Sequence, residues 1–152
     1  MNVISLLTPK AQVAYLHEDC TIRQGLEKLR AHQYTALPVL ARDGRYVGTV
    51  SEGDFLWCMV DRKDNSLRTQ EKLPLGTVMR KGFNPAVSIR VSMEELLDRA
   101  MRQSFIPVVD DRGAFMGIVT RQTIMRKLVI PAVEKDRQAD RQPERELEEA
   151  MV

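Results

Sequence analysis

A hydroxyl and a carboxylate stand one helical turn apart after a glycine, a spacing that could hold a phosphorylated sugar. Residues 48–54 read GTVSEGD, where an apolar predicted strand gives way to a predicted helix. The free backbone N–H groups and the dipole at such a helix start favour a bound anion, and the hydroxyl of Ser51 adds a donor. The two carboxylate oxygens of Asp54 can accept from both hydroxyls of a ribose. The segment therefore suits a nucleoside phosphate; alternatively, Ser51 and Asp54 cap their own helix.

A second segment later in the chain repeats part of this pattern. Residues 117–123 read GIVTRQT, so Thr120 keeps the hydroxyl, while Thr123 stands where the first segment has its carboxylate. A threonine can make one hydrogen bond to a diol but not a charged, bidentate one. Arg121 offers a guanidinium fork that binds phosphate and partly compensates for the missing carboxylate. The alternative is that Arg121 is an ordinary solvated surface residue.

Both segments lie inside an internal sequence repeat. Residues 36–55 read ALPVLARDGRYVGTVSEGDF and residues 105–124 read FIPVVDDRGAFMGIVTRQTI, with a proline, two glycines and a hydroxyl residue in the same register. Such a spaced coincidence indicates two copies of one supersecondary unit. In each copy, an apolar run, a polar turn containing Asp and Gly, and a second apolar run predict a β-hairpin.

The residues around each hairpin predict the rest of the unit. Two capping boxes, T-x-x-Q from Thr21 and S-x-x-E from Ser92, each begin a stripe of apolar residues at helical spacing. A leading strand precedes each helix, near residues 13–16 and 86–89, and a second helix follows each hairpin. Each copy is thus a β-α-β-β-α unit, and the fold class is α/β. Two units this small should pack together to share buried surface.

Changes in composition divide the chain. Residues 61–76 are charged and contain a proline, which is typical of a connector. We therefore place the first repeat with its leading strand at residues 1–66, and the second repeat with the connector at residues 67–131. Residues 132–152 are rich in charge and have no sustained apolar stripe, so we expect this tail to be frayed helix or disordered.

The order of a helix, an LPV strand, a D-G turn, G-x-x-S/T-x-x-D and a closing helix resembles the CBS domain. Two such units in tandem resemble a CBS pair, or Bateman module, over about residues 5–130. The resemblance implies two repeats packed with pseudo-two-fold symmetry and a disc-shaped homodimer. It also implies adenosine compounds as ligands in the clefts between the repeats, although some CBS pairs bind none. Thr123 departs from the family pattern, which has an aspartate there.

The resemblance implies which segments meet, because the S/T-x-x-D segment of one repeat faces the leading and pre-proline strands of the other. One cleft would combine Lys10, Ala11, Val13, Tyr34, Thr35 and Ala36 with Thr120, Arg121 and Thr123. The other would combine Ser51 and Asp54 with segments 83–86 and 104–106, including Ser104 and Phe105. The Tyr34 ring would stack on an adenine, or it is a core aromatic. These motifs are similar to small stand-alone bacterial CBS proteins that bind cyclic di-AMP, but AMP, ADP or ATP would use much the same groups.

Composition excludes several other classes of protein. The 152 residues include 23 basic and 21 acidic side chains, and 43% are hydrophobic, which is ordinary for a globular protein. The longest uninterrupted apolar stretch, residues 55–60, is far shorter than the ~20 residues of a membrane helix. The start MNVISLLTPK lacks the features of a secretory signal, and no dense basic block with interleaved aromatics supports nucleic-acid binding. We therefore expect a cytoplasmic protein with neither a membrane nor a nucleic-acid partner.

Enzyme motifs are also missing from the sequence. It contains no G-x-S-x-G, no H-E-x-x-H and no P-loop, and its two histidines lack partners at metal or triad spacing. We therefore expect a non-enzymatic regulatory sensor, without a metal or a catalytic cofactor, whose regulatory ligand is an adenine nucleotide and whose target protein is unidentified. The alternative is a ligand-free scaffold. The helices after Ser51 and Thr120 are apolar on more than one face, which predicts a homodimer through them.

Overall fold

The chain alternates short strands and helices in two similar halves. The computed structural model describes the backbone of residues 2–150 and the side chains of residues 2–141 and 150. The strands are β1 (Thr8–Pro9), β2 (Leu16–His17), β3 (Ala36–Leu40), β4 (Tyr46–Ser51), β5 (Val87–Ser88), β6 (Phe105–Val109) and β7 (Phe115–Thr120). The helices are α1 (Ile22–His32), α2 (Glu52–Asp61), α3 (Leu67–Lys72), α4 (Met93–Ala100), α5 (Arg121–Ile124) and α6 (Ile130–Ala150), with a π-helical stretch, Met125–Val129, joining the last two.

Local capping explains where the predicted helices begin. The Thr21 hydroxyl accepts from the N–H of Gln24 (3.2 Å), and the Gln24 side-chain oxygen accepts from the Thr21 N–H (2.9 Å), which confirms the capping box. At the start of α4, the Ser92 hydroxyl accepts from the N–H of Glu95 (3.1 Å). The Glu95 carboxylate, however, lies 3.6 Å from the Arg99 guanidinium. In this second capping box only the Ser92 bond is formed, because the Glu95 carboxylate pairs with Arg99 one turn further along the helix.

Two sheets, one for each repeat, contain the predicted hairpins. One sheet has the strand order β2-β3-β4 and the other the order β1-β7-β6-β5. The β3–β4 and β6–β7 hairpins share one antiparallel register, with a bulge at equivalent positions near Leu40 and Val109. In both repeats the leading strand runs parallel to the first hairpin strand. The two halves therefore have the β-α-β-β-α architecture that the sequence predicts.

The two hairpin turns contact each other reciprocally. The N–H of Tyr46 donates to the Gly113 carbonyl (3.1 Å), and the N–H of Phe115 donates to the Gly44 carbonyl (3.0 Å). The rings of Tyr46 and Phe115 stack with centroids 6.2 Å apart. Both turn glycines have positive φ, 92° at Gly44 and 80° at Gly113, a conformation that glycine adopts without steric cost. These matched contacts relate the repeats by a pseudo-two-fold axis, which confirms the predicted fold.

The hydrophobic core of each repeat includes residues from the segment that precedes the other repeat in sequence. Val3 and Leu6 are fully buried among the apolar residues of the second repeat, and β1 then pairs with β7. Leu75 and Val78 are buried in the core of the first repeat. The expected boundary between residues 66 and 67 therefore does not separate the two cores. The segment before each repeat packs into the core of the other repeat.

The connector and the tail both contain helix. No helix is predicted in the connector, but α3 lies there, where the Ser66 hydroxyl accepts from the N–H of Thr69 (3.3 Å) and Leu73 packs against the first core. A helix this short shows too little of the apolar period to be recognised from sequence. Of the two forms expected for the tail, its backbone takes the helical one as far as Ala150. Among the helices described for residues 2–150, none is long and apolar enough to cross a bilayer.

Candidate functional site

Two cavities lie between the repeats and share part of their walls. Cavity A has a volume of about 420 Å³, and its wall carries hydroxyl, amide, aromatic and apolar groups but no charged side chain. Such a wall can cover the faces of an uncharged ring while binding its polar edge. Cavity A is lined by Thr8, Gln12, Val13, Ala14, Tyr34, Thr35, Ala36, Leu37, Pro38, Ser104, Phe105, Ile118, Thr120 and Gln122.

Cavity B has a volume of about 580 Å³ and a very different electrostatic character. Its wall includes three arginines and no acidic side chain. Ala36, Ser104 and Phe105 line both cavities and form the shared wall. The remaining lining residues of cavity B are Thr49, Phe83, Asn84, Pro85, Arg99, Arg102, Gln103 and Arg121.

The structure brings together most of the residues predicted for the first cleft. Val13, Tyr34, Thr35, Ala36 and Thr120 all lie on the wall of cavity A. Ser104 and Phe105, assigned from sequence to the other cleft, belong to the shared wall. Sequence reasoning missed the other residues of this wall, which are Thr8, Gln12, Ala14, Leu37, Pro38, Ile118 and Gln122. Of these, Gln122 follows Thr120 by only two residues. Gln122 lies in the first turn of α5, next to the N-cap Thr120, and this closeness to Thr120 at the helix start is the signal that could have found it.

Tyr34 is an exposed aromatic ring at the edge of cavity A. Its side chain is 51% exposed, so the core-aromatic alternative is wrong. The ring stacks on the imidazole of His32, with centroids 5.4 Å apart and planes 20° apart. This contact holds the phenol in place beside Thr35 and Ala36, where it can supply an aromatic face to a ligand.

Arg121 lies on the wall of cavity B and not, as predicted, beside Tyr34 in cavity A. Thr120 ends β7 facing cavity A, and the next side chain points to the opposite side, because successive residues of an extended chain alternate. The Arg121 Nε donates to the Ala100 carbonyl (2.8 Å), which fixes this orientation. Thr123 lines neither cavity, because its hydroxyl bonds to that of Thr120 (2.9 Å) at the helix start.

Lys10 and Ala11 are also absent from both walls, contrary to the sequence prediction. They lie in a 3₁₀ turn, Lys10–Gln12, where a leading strand was expected nearby, and only Gln12 of this turn reaches cavity A. The Lys10 ammonium instead lies 5.4 Å from the centroid of the Tyr15 ring, and the Lys28 ammonium lies 5.5 Å from the same centroid. Lys10 therefore makes a cation–π contact with Tyr15 within the protein.

Ser51 and Asp54, predicted to bind a nucleotide, form the helix cap that was the alternative, and neither lines a cavity. Asp54 Oδ2 accepts from the Ser51 N–H (2.8 Å), and the Ser51 hydroxyl accepts from the Asp54 N–H (3.3 Å). Asp54 Oδ1 accepts from Nε of Arg80 (2.6 Å), and the carboxylate side chain is only 3% exposed. The Arg80 guanidinium lies over the ring of Phe83, 3.7 Å from its centroid. The structure thus shows the capping alternative and separates Asp54 from the cleft assigned to it.

A buried polar network forms one side of cavity B. The Tyr46 hydroxyl donates to the Asn84 carbonyl (2.6 Å) and lies 2.7 Å from the Thr49 hydroxyl. The Asn84 amide donates to the Thr49 hydroxyl (3.1 Å), and the Gln103 amide donates to the Asn84 side-chain oxygen (2.8 Å). Burial raises the pKa of Tyr46 to about 12, which keeps this phenol protonated. The network joins the first hairpin to the leading segment of the second repeat and makes the wall rigid.

No metal centre accompanies these cavities in the part of the chain that the structure describes. There, no three histidine, cysteine or acidic side chains lie together in a way that would hold a metal ion. The wall residues of the two cavities offer hydrogen-bonding groups, aromatic faces and, in cavity B, arginine charge.

Comparison with known proteins connects this geometry to a family. The CBS domain family model matches residues 4–61 and 75–130. A curated relative, homoserine O-acetyltransferase from Methanohalophilus mahii, is 30% identical over 112 residues, which are 74% of this chain and 22% of that protein. The chain therefore spans about a fifth of the length of that relative.

Solved structures share the fold over nearly the whole chain. A CBS domain protein from Streptococcus pneumoniae TIGR4 has a TM-score of 0.77 and 26% identity, over 86% of this chain and 87% of that one. CbpB in complex with c-di-AMP has a TM-score of 0.81 and 18% identity, over 92% and 91%. CbpB from Listeria monocytogenes, also in complex with c-di-AMP, has a TM-score of 0.75 and 21% identity, over 86% and 96%.

Proposed function

Because the chain belongs to the CBS domain family, we propose that it is a non-enzymatic regulatory sensor that binds an adenine nucleotide and presents a ligand-dependent surface to a target protein. Cavity A carries this proposal. Its volume of about 420 Å³ lies within the roughly 300–1,000 Å³ of small-molecule sites. Residues of both repeats line it, so a ligand there can bias how the repeats pack. Acetyl transfer is not part of the proposal, since the matched part is 22% of that enzyme.

The side chains of cavity A suit the adenosine part of a nucleotide. Tyr34 offers an aromatic face to the base, and Val13 lies on the same wall as an apolar contact. Thr35, Ser104 and Thr120 add hydroxyl groups for the base edge or the sugar. The two CbpB complexes contain c-di-AMP, which makes cyclic di-AMP the first ligand to test, followed by ATP, ADP and AMP.

Replacing Tyr34 with alanine is expected to weaken binding of the nucleotide by roughly 5- to 150-fold, because stacking on a base contributes about 1–3 kcal/mol. Isothermal titration calorimetry with cyclic di-AMP, ATP, ADP and AMP measures this loss. Leu67→Ala is the control, since Leu67 is a large apolar side chain with nearly the same exposure, 52%, but lies on neither cavity wall and outside the apolar surface of α2. Equal affinity in wild type and Tyr34→Ala would place the base elsewhere.

We also propose that the protein is a homodimer through an apolar surface on α2 and the helix that follows β7. Its exposed side chains are Leu56, Trp57, Val60, Met125, Val129, Ile130 and Val133. Large exposed apolar patches mark interaction sites, and two helical segments carry these exposed side chains. The partner copy would cover these side chains without closing either cavity, since none of them lies on a cavity wall.

Trp57→Glu is expected to convert the dimer into a monomer, because a partner would have to bury an unpaired carboxylate. Sedimentation velocity at micromolar concentration measures the mass of each species. Glu52→Gln, a change of charge at the other end of the same helix, should leave the dimer intact. A wild-type monomer at these concentrations would contradict the proposal.

The alternative function is a ligand-free scaffold used for assembly. The exposed apolar surface on α2 and the helix after β7 supports a scaffold as much as it supports the dimeric sensor. The two functions differ in a thermal-shift experiment on the wild type with cyclic di-AMP, ATP, ADP and AMP. A rise in melting temperature with any of them supports the sensor, whereas no response to any, with the dimer intact, supports the scaffold.

A further inference from the structure

We infer that the helix after β7 contains a joint at residues 125–131, through which a ligand between the repeats changes the direction of α6. This helix begins at the cavity walls and continues, through α5 and the π-helical stretch, as far as Ala150. The inference deepens the proposed function, on which it rests for the identity of the ligand, because it names the element that carries the ligand-dependent surface.

The first turn of this helix lies on both cavity walls. Thr120 and Gln122 line cavity A, and Arg121 lines cavity B. The Arg121 Nε donates to the Ala100 carbonyl (2.8 Å), so this turn is also fixed to the end of α4. A molecule in either cavity therefore contacts the start of the helix directly. It favours whichever position of that turn gives it the better contacts.

The helix widens one turn later, and a proline explains why. The N–H of Ile130 donates to the carbonyl of Met125, five residues back, where an α-helix uses the residue four back. Pro131 comes next in the sequence. Its ring collides with the carbonyl of Lys127, four residues before it, and it has no N–H to bind that carbonyl. Bends in helices occur where a proline or a π-helical turn interrupts the bonding, and here both coincide.

The equivalent helix of the first repeat, α2, is regular to its end. Its sequence contains no proline, and the Arg62 N–H that closes it donates to the Cys58 carbonyl (3.1 Å), four residues back. The two helices occupy the same place in the two repeats, after the second hairpin strand. The joint is therefore an addition to the second copy, where the helix continues beyond the repeat.

The two sides of the joint are held differently. Before it, Ile124 is 3% exposed in the second core, and within it the Lys127 ammonium donates to the Ser5 carbonyl (2.9 Å). After it, every side chain of residues 130–141 is exposed. α6 can therefore turn at the joint without unpacking a core. The exposed apolar surface proposed for the dimer begins in the joint, so such a turn changes what that surface presents to a partner.

Double electron–electron resonance on the full chain measures the direction of α6. Spin labels are attached through Glu94→Cys on α4 and Ala139→Cys on α6, two exposed positions. The two natural cysteines, Cys20 and Cys58, are first replaced with serine. Labelled protein is diluted with unlabelled protein, so that each distance joins two labels of one chain. Circular dichroism confirms that each variant is folded.

Pro131→Ala restores the missing N–H and removes the collision, so we expect the stretch to become α-helical. Taking up one extra residue turns the rest of the helix by about 100°, and a label about 5 Å from the axis then moves by on the order of 5–8 Å. Pro143→Ala, the same substitution further along the helix, is the matched control and should leave the distance between the labels unchanged.

Two comparisons test whether the cavity walls control the joint. A nucleotide that raises the melting temperature, taken from cyclic di-AMP, ATP, ADP and AMP, should shift the distance distribution when Pro131 is present. It should leave the distribution of Pro131→Ala unshifted, while calorimetry shows that this variant still binds. Without any ligand, Arg121→Gln breaks the bond to Ala100 and should also shift the distribution only when Pro131 is present.

Three results would overturn the inference. They are equal distance distributions with and without Pro131→Ala, a bound nucleotide that leaves the distribution of the parent protein unchanged, and an Arg121→Gln shift that is absent or is equally large in Pro131→Ala. If no nucleotide binds the parent protein, the proposed function fails. The ligand-free Arg121→Gln comparison then decides by itself whether the cavity wall controls the joint.

Discussion

Replacing Gly117 with alanine is expected to lower the free energy of unfolding by about 3 kcal/mol, the upper end for one strained residue. Gly117 has φ of 151°, and a Cβ there would lie 2.1 Å from the Thr8 carbonyl oxygen. Thr8 belongs to β1, which pairs with β7 at this position. The added methyl group would therefore push away the segment that buries Val3 and Leu6 in the second core.

Urea unfolding of Gly117→Ala measures this loss of free energy. Thermal unfolding should show a fall in Tm of roughly 6–12 °C for a domain of this size. Gly76→Ala is the control with open space, since no atom lies within 4 Å of its Cβ position. Gly48→Ala is the matched control in the first repeat, where the nearest atom is the terminal methyl of Met79 at 2.8 Å. A flexible side chain can move, so Gly48→Ala should cost less. A Gly117→Ala protein as stable as Gly76→Ala would contradict the steric argument.

Replacing Asp54 with alanine is expected to lower stability by about 2 kcal/mol and to leave nucleotide affinity nearly unchanged. Asp54→Ala leaves the N-cap residue Ser51 in place but removes the other half of the capping box, the hydrogen bond from the Ser51 N–H to the carboxylate, which contributes about 1 kcal/mol. The charged hydrogen bond from Arg80 adds a further amount, reduced because the Arg80 side chain is 56% exposed. The stability loss follows from the contacts of Asp54 with Ser51 and Arg80 inside the protein.

Chemical unfolding and calorimetry on the same preparation of Asp54→Ala measure both quantities. Thr123→Ala is the matched control, because Thr123 occupies the equivalent place in the second repeat and has a neutral hydroxyl bond to Thr120 (2.9 Å). Its stability loss should be smaller. The opposite pattern, unchanged stability with a large loss of nucleotide affinity, would restore the ribose-binding interpretation of Asp54.

Much of the fold follows from local sequence signals. The capping box at Thr21, the D-G turn at Gly44 and the alternating apolar residues of the hairpins act within a few residues, so one sequence is enough to read them. The repeat adds a long-range inference, because two equal units must bury equivalent surfaces. The α/β class and the pseudo-two-fold arrangement follow from these signals together with the resemblance.

The site is predicted less completely, because its contacts join residues that are distant in sequence. Tyr34, Thr35 and Ala36 reach cavity A as expected, since they lie at or just before the start of β3, the first strand of the hairpin. Arg121 is a neighbour of Thr120 in sequence but lies in the other cavity. The side chains of these two consecutive residues point to opposite sides of the chain. A motif that treats Thr120 and Arg121 as one unit therefore places both in the same cavity.

The sequence by itself determined the repeated hairpins and the capped helices of this protein, because caps, turns and apolar periods are local. Only the tertiary structure decided which of its polar groups remain available to a ligand. Asp54 has the residue type and spacing of a ribose-binding carboxylate, yet Arg80, 26 residues away, takes one of its oxygens. The crossing of Val3 and Leu6 into the second core is equally invisible locally. In both cases the deciding contact depends on the path of the chain through space, which brings a charge or an apolar side chain to a distant partner.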